Sequence, residues 1–417
     1  MSRVMKDSGI EWIGKIPKVW NLVKVKNLFS FGRGRVIAKT ELEDIGYPVY
    51  SSQTKDNGVL GYISTYDFDK SQLTWTTDGA NAGTVFLREG KYNCTNVCGT
   101  LLPKDERNNL RYMKYALEFI AIYHKRADTN GFKIMNNEMA EIKITLPLLS
   151  EQQKIADFLD EKVAEIDSAI EKTKATIEDY KKYKQSIITE TVTKGLNPEV
   201  EMKDSGIEWV GSIPNNWETR KLKQCVYVRA RLGWKGLKAD EYVKEGYAFL
   251  SAFNIINNKL DFSEINYINE FRYNESPEIK LAIGDVLLVK DGAGIGKCAY
   301  VESLPQEATV NGSIAVLSSN IILKGKYLYY YLLSKIMQKY VDRLKDGMGV
   351  PHLFQRDIKE IKIPIPTVNE QNEIIQFLDI RCAEIDNMIK SKEAILSEFE
   401  SYKKSLIYEY VTGKKEV

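Results

Sequence analysis

Residues Lys6–Trp20 read KDSGIEWIGKIPKVW, and residues Lys203–Trp217 read KDSGIEWVGSIPNNW. Eleven of the fifteen positions are identical, among them the pairs Trp12/Trp209 and Trp20/Trp217 and the steps Ile16-Pro17 and Ile213-Pro214. Trp, Pro and Gly are individually uncommon, so a shared phrase rich in all three marks an internal duplication.

A second duplicated stretch follows each copy. Ser150–Lys194 returns as Asn369–Gly413, sharing EQ, FLD, AEID and a closing YK…S…E.VT at a constant offset. Both read as a helix of roughly 60 Å, with polar N-caps at Ser150 and Asn369 and Gln153 at the capping-box position. Steps of four and three connect Leu159, Val163, Ile166, Ile170, Thr173, Ile177, Tyr180, Lys184 and Ile187. The second copy gives Leu378, Cys382, Ile385, Ile389, Lys392, Leu396, Phe399, Lys403 and Leu406. Seven of nine seam positions are apolar in each, and both copies turn polar at the same two places. Such a narrow seam predicts two antiparallel coiled-coil helices, and polar seam positions fix register at some cost in stability. The competing reading is a long helix packed on a globular domain, which would leave much of so polar a helix unsupported.

The repeat divides the chain. An N-terminal segment (1–20) precedes a variable domain (21–149) and a central spacer helix (150–195). A linker with the second phrase (196–217) leads to another variable domain (218–368) and a C-terminal spacer helix (369–417). If the halves fold alike, the termini meet where the first half has its linker, giving a pseudo-two-fold molecule. The variable domains read as mixed α/β: strand-like runs at Gly46–Tyr50, Val59–Ile63 and Asp285–Val289, helical runs at Tyr112–His124 and Tyr327–Val341. Arg33-Gly34-Arg35 parallels Arg229-Ala230-Arg231, and Asp78-Gly79-Ala80 parallels Asp291-Gly292-Ala293, so these are diverged copies of one domain.

At 417 residues the chain has room for two or more cores, and its net charge of +2 makes any nucleic-acid surface local. Five scattered Cys without a CxxC, and only two His, predict reduced thiols and no metal site. Met1–Lys15 lacks the apolar run of a signal peptide, and no apolar stretch reaches the ~18 residues of a spanning helix. The expected location is cytoplasmic, without membrane contact.

Basic residues exceed acidic ones by 17 to 14 in Asn21–Leu149 and by 22 to 17 in Glu218–Val368. The surplus gathers early, at Arg33, Arg35 and Lys39, then Arg229, Arg231, Lys235 and Lys238, where Gly lets backbone and guanidinium approach phosphates together. Ser51, Gln53, Lys55 and Asn57 form a loop dense in side chains able to read base edges, and Asn254 joins them in the second segment. Taken alone, basic polar loops are as well explained by solvated surface.

Catalytic motifs fail on inspection. Asp291–Cys298 resembles a phosphate loop, but the first Gly of that pattern falls on Asp291 and its Ser/Thr on Cys298, so a tight turn is expected. Glu141-Ile142-Lys143 and Glu360-Ile361-Lys362 mimic part of a nuclease site without its Pro-Asp partner, and Cys94 and Cys98, placed to share a helix face, lack further ligands.

The two phrases, the EQ…FLD…AEID…YK…VT helices and the two-copy layout together resemble the specificity subunit of type I restriction–modification enzymes. The resemblance covers essentially the whole chain. It implies two target-recognition domains, each reading one half of a split duplex DNA sequence, separated by helices that set the spacing. It implies a non-catalytic chain: two modification subunits, carrying S-adenosylmethionine and methylating adenine, dock on it, and restriction subunits add ATP- and Mg-dependent translocation and cleavage. Trp12, Trp20, Trp209 and Trp217 are then docking candidates, because both copies keep them while the readers diverge; capping their own cores is the alternative. A subunit of a methylation-only or other phage-defence system, and a two-domain protein–protein adaptor on a rod, remain as alternative functions.

Overall fold

The computed structural model describes residues 3–129, 131–231, 237, 241–292, 294–345 and 352–417. The chain divides into two compact units, residues 1–174 with 394–417, and residues 175–393. The division falls inside both long helices, Leu149–Lys194 and Val368–Val411.

The first unit is built on a four-stranded antiparallel sheet in the order Phe29–Arg33, Cys98–Pro103, Gln72–Thr76, Val85–Arg88. Gln72–Thr76 alternates polar and apolar residues in the sequence yet is buried at every position, so its Gln and Thr side chains lie inside the domain. Trp75 is fully buried and its Nε1 donates to Ile134 O at 3.0 Å. Gly99 pairs with Trp75, and a Cβ there would lie 2.2 Å from the indole, which is why the partner is glycine. A second sheet holds Tyr47–Tyr50 between Val59–Ile63, antiparallel, and Asn93–Cys94, parallel. The expected helix at Tyr112–His124 runs Leu110–Ala121, capped by Asn109, whose Oδ1 accepts from Tyr112 N at 3.0 Å.

The second unit repeats the strand order with Val226–Arg229, Ile314–Ser319, Val286–Val289 and Cys298–Tyr300. The helix expected at Tyr327–Val341 is instead two, Gly325–Leu333 and Lys335–Lys345. The break at buried Ser334 survives because the long helix satisfies the freed backbone. Lys335 N donates to Thr189 Oγ1 at 2.8 Å and Leu333 O accepts from Gln185 Nε2 at 2.6 Å.

Each long helix begins one residue before its expected cap. Ser150 and Asn369 are already helical, and the second helix is capped by Thr367, which exchanges bonds with Glu370.

Both readings of the seam hold in part. Leu159, Ile166 and Ile170 are buried in the first unit's core together with Leu406 and Ile407, so the helices pack on each other and on the domain at once. In the second unit, Leu378 and Cys382 share a core with Ile188, while Ile177 and Ile385 are buried. Thr173, Ile389, Lys392 and Leu396 are half-buried.

The duplicated letters are the fastenings. In the first unit Tyr112 OH donates to Thr145 O and Val411 O at 3.1 and 3.3 Å; in the second, Tyr327 OH donates to Pro364 O and Val192 O, both at 3.1 Å. The Gln of each EQ, Gln152 or Gln371, accepts from the N–H of Asn109 or Lys324 and donates to Pro147 O or Pro366 O. The Asp of each FLD, Asp160 or Asp379, accepts from Tyr115 or Tyr330 at 2.8 or 2.6 Å.

Candidate nucleic-acid interface

In the first unit, loops from the central sheet and from the second sheet tie to one another. Arg33 ends its strand opposite Gly99, and its Nε donates to Asn96 O at 2.6 Å. Arg35 forms a bridge with Thr95. Thr95 N donates to Tyr50 O, and Thr95 Oγ1 lies 3.1 Å from Ser51 Oγ, so the Ser51–Asn57 loop starts beside that bridge. Asn81, in the Asp78–Gly83 turn, donates to Ser52 O at 3.1 Å. The hairpin of Arg126–Asp128 with Gly131–Lys133 adds its second strand to Asp78–Gly79. The loops named from sequence thus share one edge with a hairpin that sequence reasoning missed. Its signal was the Asn130-Gly131 dipeptide in the sequence.

The electrostatics of this edge are mixed. Asp78 stands 3.9 Å from Arg33 and 3.3 Å from Lys133, and Arg35 faces Asp67 and Glu41 at 3.1 and 3.4 Å. Arg33 and Arg35 keep 41% and 42% of their side chains exposed, so these pairs contribute little to stability. Lys39, Lys55 and Asn57 are exposed, Ser51 is half-buried, and Gln53 turns back to donate to Val59 O. Asp56 and Asn57 adopt φ of 48° and 53°, and the turn is pinned from below by Arg88, which donates to Asn57 O at 2.8 Å. Burial holds the Arg88 guanidinium below its usual pKa range, and the Tyr50 ring lies 3.5 Å from it.

The second unit builds the same edge from different chemistry. Tyr247–Leu250 pairs parallel with Ala308–Val310, and Asn311 N donates to Leu250 O at 2.8 Å, as Thr95 does to Tyr50. Asp291 bridges to His352, where the first unit has Asp78 with Lys133. The Arg33/Arg229 parallel does not survive. Arg33, Gly99 and Trp75 form one row of the ladder, whereas Arg229 lies in the row of Val316 and Leu287, one residue displaced relative to the following Asp-Gly turn. A one-residue shift turns a strand side chain to the other face. Arg229 accordingly binds Asp285 and Ser318 Oγ at 2.7 Å, and Lys280 O at 2.8 Å, with its side chain only 13% exposed. Arg231 is 8% exposed beside Glu275. Both are structural arginines. Asn254 is also internal, donating to Glu264 O and accepting from Ser251 N. Lys235 and Lys238 lie outside the described residues.

The duplicated phrase folds as a hairpin in each unit, Met5–Asp7 with Lys15–Pro17 and Met202–Asp204 with Ser212–Pro214. Trp20 and Trp217 are buried, their Nε1 atoms donating to Glu151 and Glu370 at 2.8 and 3.3 Å, so they close their own cores and offer no docking surface. Trp12 and Trp209 are half-buried and stack on Tyr123 and Tyr340, with centroids 5.2 and 4.3 Å apart.

The catalytic decoys resolve into structure. Lys24 and Lys26 both bind Glu141, and Lys221 and Lys223 both bind Glu360; each pair of ammonium groups pulls its carboxyl down to about 2. Gly294–Gly296 form a turn, with Gly292 and Gly296 at φ of 79° and 90°, and Cys298 begins a strand. Cys94 and Cys98 sit in strands rather than on a helix. Among the described residues no cluster of three or more His, Cys, Asp or Glu is placed to hold a metal, and no helix is long and apolar enough to cross a membrane.

Comparison with known proteins adds to this geometry. A family model described as the type I restriction modification DNA specificity domain matches residues 17–179 and 214–397. The MjaVIII type I restriction enzyme specificity subunit of Methanocaldococcus jannaschii is 26% identical, covering 96% of this chain and 94% of its own. A putative type I specificity subunit N-terminus, S.MpnORF289P of Mycoplasma pneumoniae, is 39% identical over 33% of this chain and 74% of its own. A chain solved in work on complex assembly and conformational transition of the type I R-M system shares the fold. Its TM-score is 0.70 at 15% identity, over 96% of this chain and 99% of that one.

Proposed function

We propose that this chain, which belongs to the type I restriction–modification DNA specificity family, reads a bipartite duplex DNA target with one half-site per unit. One observation carries the reading. In each unit the loop after a second-sheet strand lies against the loop after the Asp-Gly step, Ser52 by Asn81 in one and Ala252 by Gly294 in the other, while the duplicated residues are taken up in internal bonds. On the first edge, Arg33, Arg35, Lys39 and Lys55 serve the phosphates, and Ser51 and Asn57 face the bases.

The chain works without catalysis of its own. Modification subunits supply S-adenosylmethionine and methylate adenine, restriction subunits supply ATP- and Mg-dependent steps, and the long helices set the half-site spacing. The stacked Trp12 and Trp209 hairpins are the docking candidates that remain once Trp20 and Trp217 are assigned to their cores. Work on duplex DNA places the complex in the cytoplasm.

The test is to co-purify the chain with its modification subunits and sequence the adenines methylated in a host that carries both. A split motif supports the reading, as does retention on duplex DNA that falls steeply with salt. A chain that binds protein partners but no DNA is an adaptor instead.

A further inference from the structure

The Ser51–Asn57 loop and its counterpart Ser251–Asn254 leave equivalent strand ends but present opposite chemistry. At the third position of the first loop, Gln53 folds back onto Val59 O. At the third position of the second stands Phe253, a residue 91% exposed. Nothing about its backbone is loose. Ser251 Oγ accepts from Phe253 N at 3.3 Å, Ser251 N donates to Asn254 Oδ1 at 2.9 Å, and Asn254, 7% exposed, donates to Glu264 O at 2.8 Å. The loop also leans on the Asp-Gly turn, since a Cβ on Gly294 would meet Ala252 Cβ at 3.6 Å. A phenyl ring held in water by a hydrogen-bonded turn, on the edge assigned to DNA, has the build of an apolar contact waiting for a partner.

We infer that Phe253 is a specificity-determining residue of the second half-site, contacting the methyl group of a thymine in the major groove. Apolar side chains discriminate thymine through that methyl, the one apolar group on a base edge. The inference rests on the reading of this chain as a specificity subunit and adds to it a named residue and a named base. It also makes the two half-sites different in kind: the first edge is polar and charged, the second has an apolar reader.

The experiment uses the chain assembled with its modification subunits and the duplex motif found by methylation sequencing. Each thymine of the second half-site is replaced in turn by deoxyuridine, which removes only the methyl, and binding is measured for wild type and Phe253→Ala. The expected result is one position where wild type loses about fourfold in affinity, the size of one buried methyl, and where Phe253→Ala loses nothing. Its salt slope should match wild type. Ile321→Ala, removing a side chain that is 90% exposed in another turn, should keep the full deoxyuridine penalty. A half-site without thymine, or a Phe253→Ala complex that feels every deoxyuridine as wild type does, overturns the inference. Sequence-specific binding by the wild-type complex is read separately, so failure of the underlying function shows as loss of that binding.

Discussion

Lys403 Nζ lies 2.7 Å from Asp167 Oδ1, across the two long helices of the first unit. The second unit contains the repeat of this pair, Lys184 with Asp386 at 2.6 Å. Lys184 and Lys403 are the second of the two polar positions in each apolar seam, and the aspartates belong to the two AEID motifs. These two lysines therefore set antiparallel register through ion pairs on the flank of the seam.

Reversing one pair tests this. Asp167→Lys alone should lower the melting temperature, and the double variant Asp167→Lys/Lys403→Asp should recover most of the loss. Asp167 is 49% exposed and Lys403 26%, so solvent screening limits the coupling to about 0.5–1 kcal/mol. A double-mutant cycle by thermal unfolding measures it; zero coupling would remove the pair from the register argument.

Gly413 ends the second long helix at φ 68°, and a Cβ there would lie 2.5 Å from Pro17 and 3.0 Å from the Trp20 ring. Gly413→Ala should cost about 1–3 kcal/mol, combining backbone strain with displacement of a buried ring. Gly9→Ala has the same φ of 68° and open space around it, and should cost only about 1 kcal/mol. Equal losses in denaturant unfolding would mean that the packing against Trp20 adds nothing.

The arginines should separate into two classes. Arg33→Ala and Arg35→Ala should each leave stability within about 0.5 kcal/mol and reduce the salt slope of DNA binding by about one. Arg229→Ala leaves Asp285, 4% exposed, without its cation and should destabilise by about 3 kcal/mol. An Arg229→Ala chain with normal stability and a reduced salt slope would return that residue to the DNA surface.

Acid unfolding should report on Glu141 and Glu360. Their carboxyls sit at about 2 in the folded chain, against an ordinary value of 4.5. A depressed carboxyl contributes stability above its unfolded pKa and loses it as pH falls toward the folded one, so the contribution fades between pH 4.5 and about 2. Glu141→Gln and Glu360→Gln should lower stability at pH 7 and flatten its decline over that window. An unchanged acid profile would show that these solvent-exposed pairs contribute nothing measurable.

Much of this molecule was legible along the chain, because a duplication writes its structural requirements twice. The phrase at Lys6–Trp20, the two long helices and the polar breaks at Lys184 and Lys403 follow from repeats and from a seam period that local geometry imposes on any helix. Comparing the two copies also separates the duplicated frame from the diverged loops. What each polar side chain does is set by the folded chain. Arg33 and Arg229 look alike in sequence, yet a one-residue displacement in the ladder leaves one exposed and buries the other against Asp285. Trp20 and Trp217 carry no mark of burial distinct from Trp12 and Trp209; their Nε1 partners, Glu151 and Glu370, lie more than a hundred residues away. Register and long-range pairing are set by which strands meet, and no local period records that.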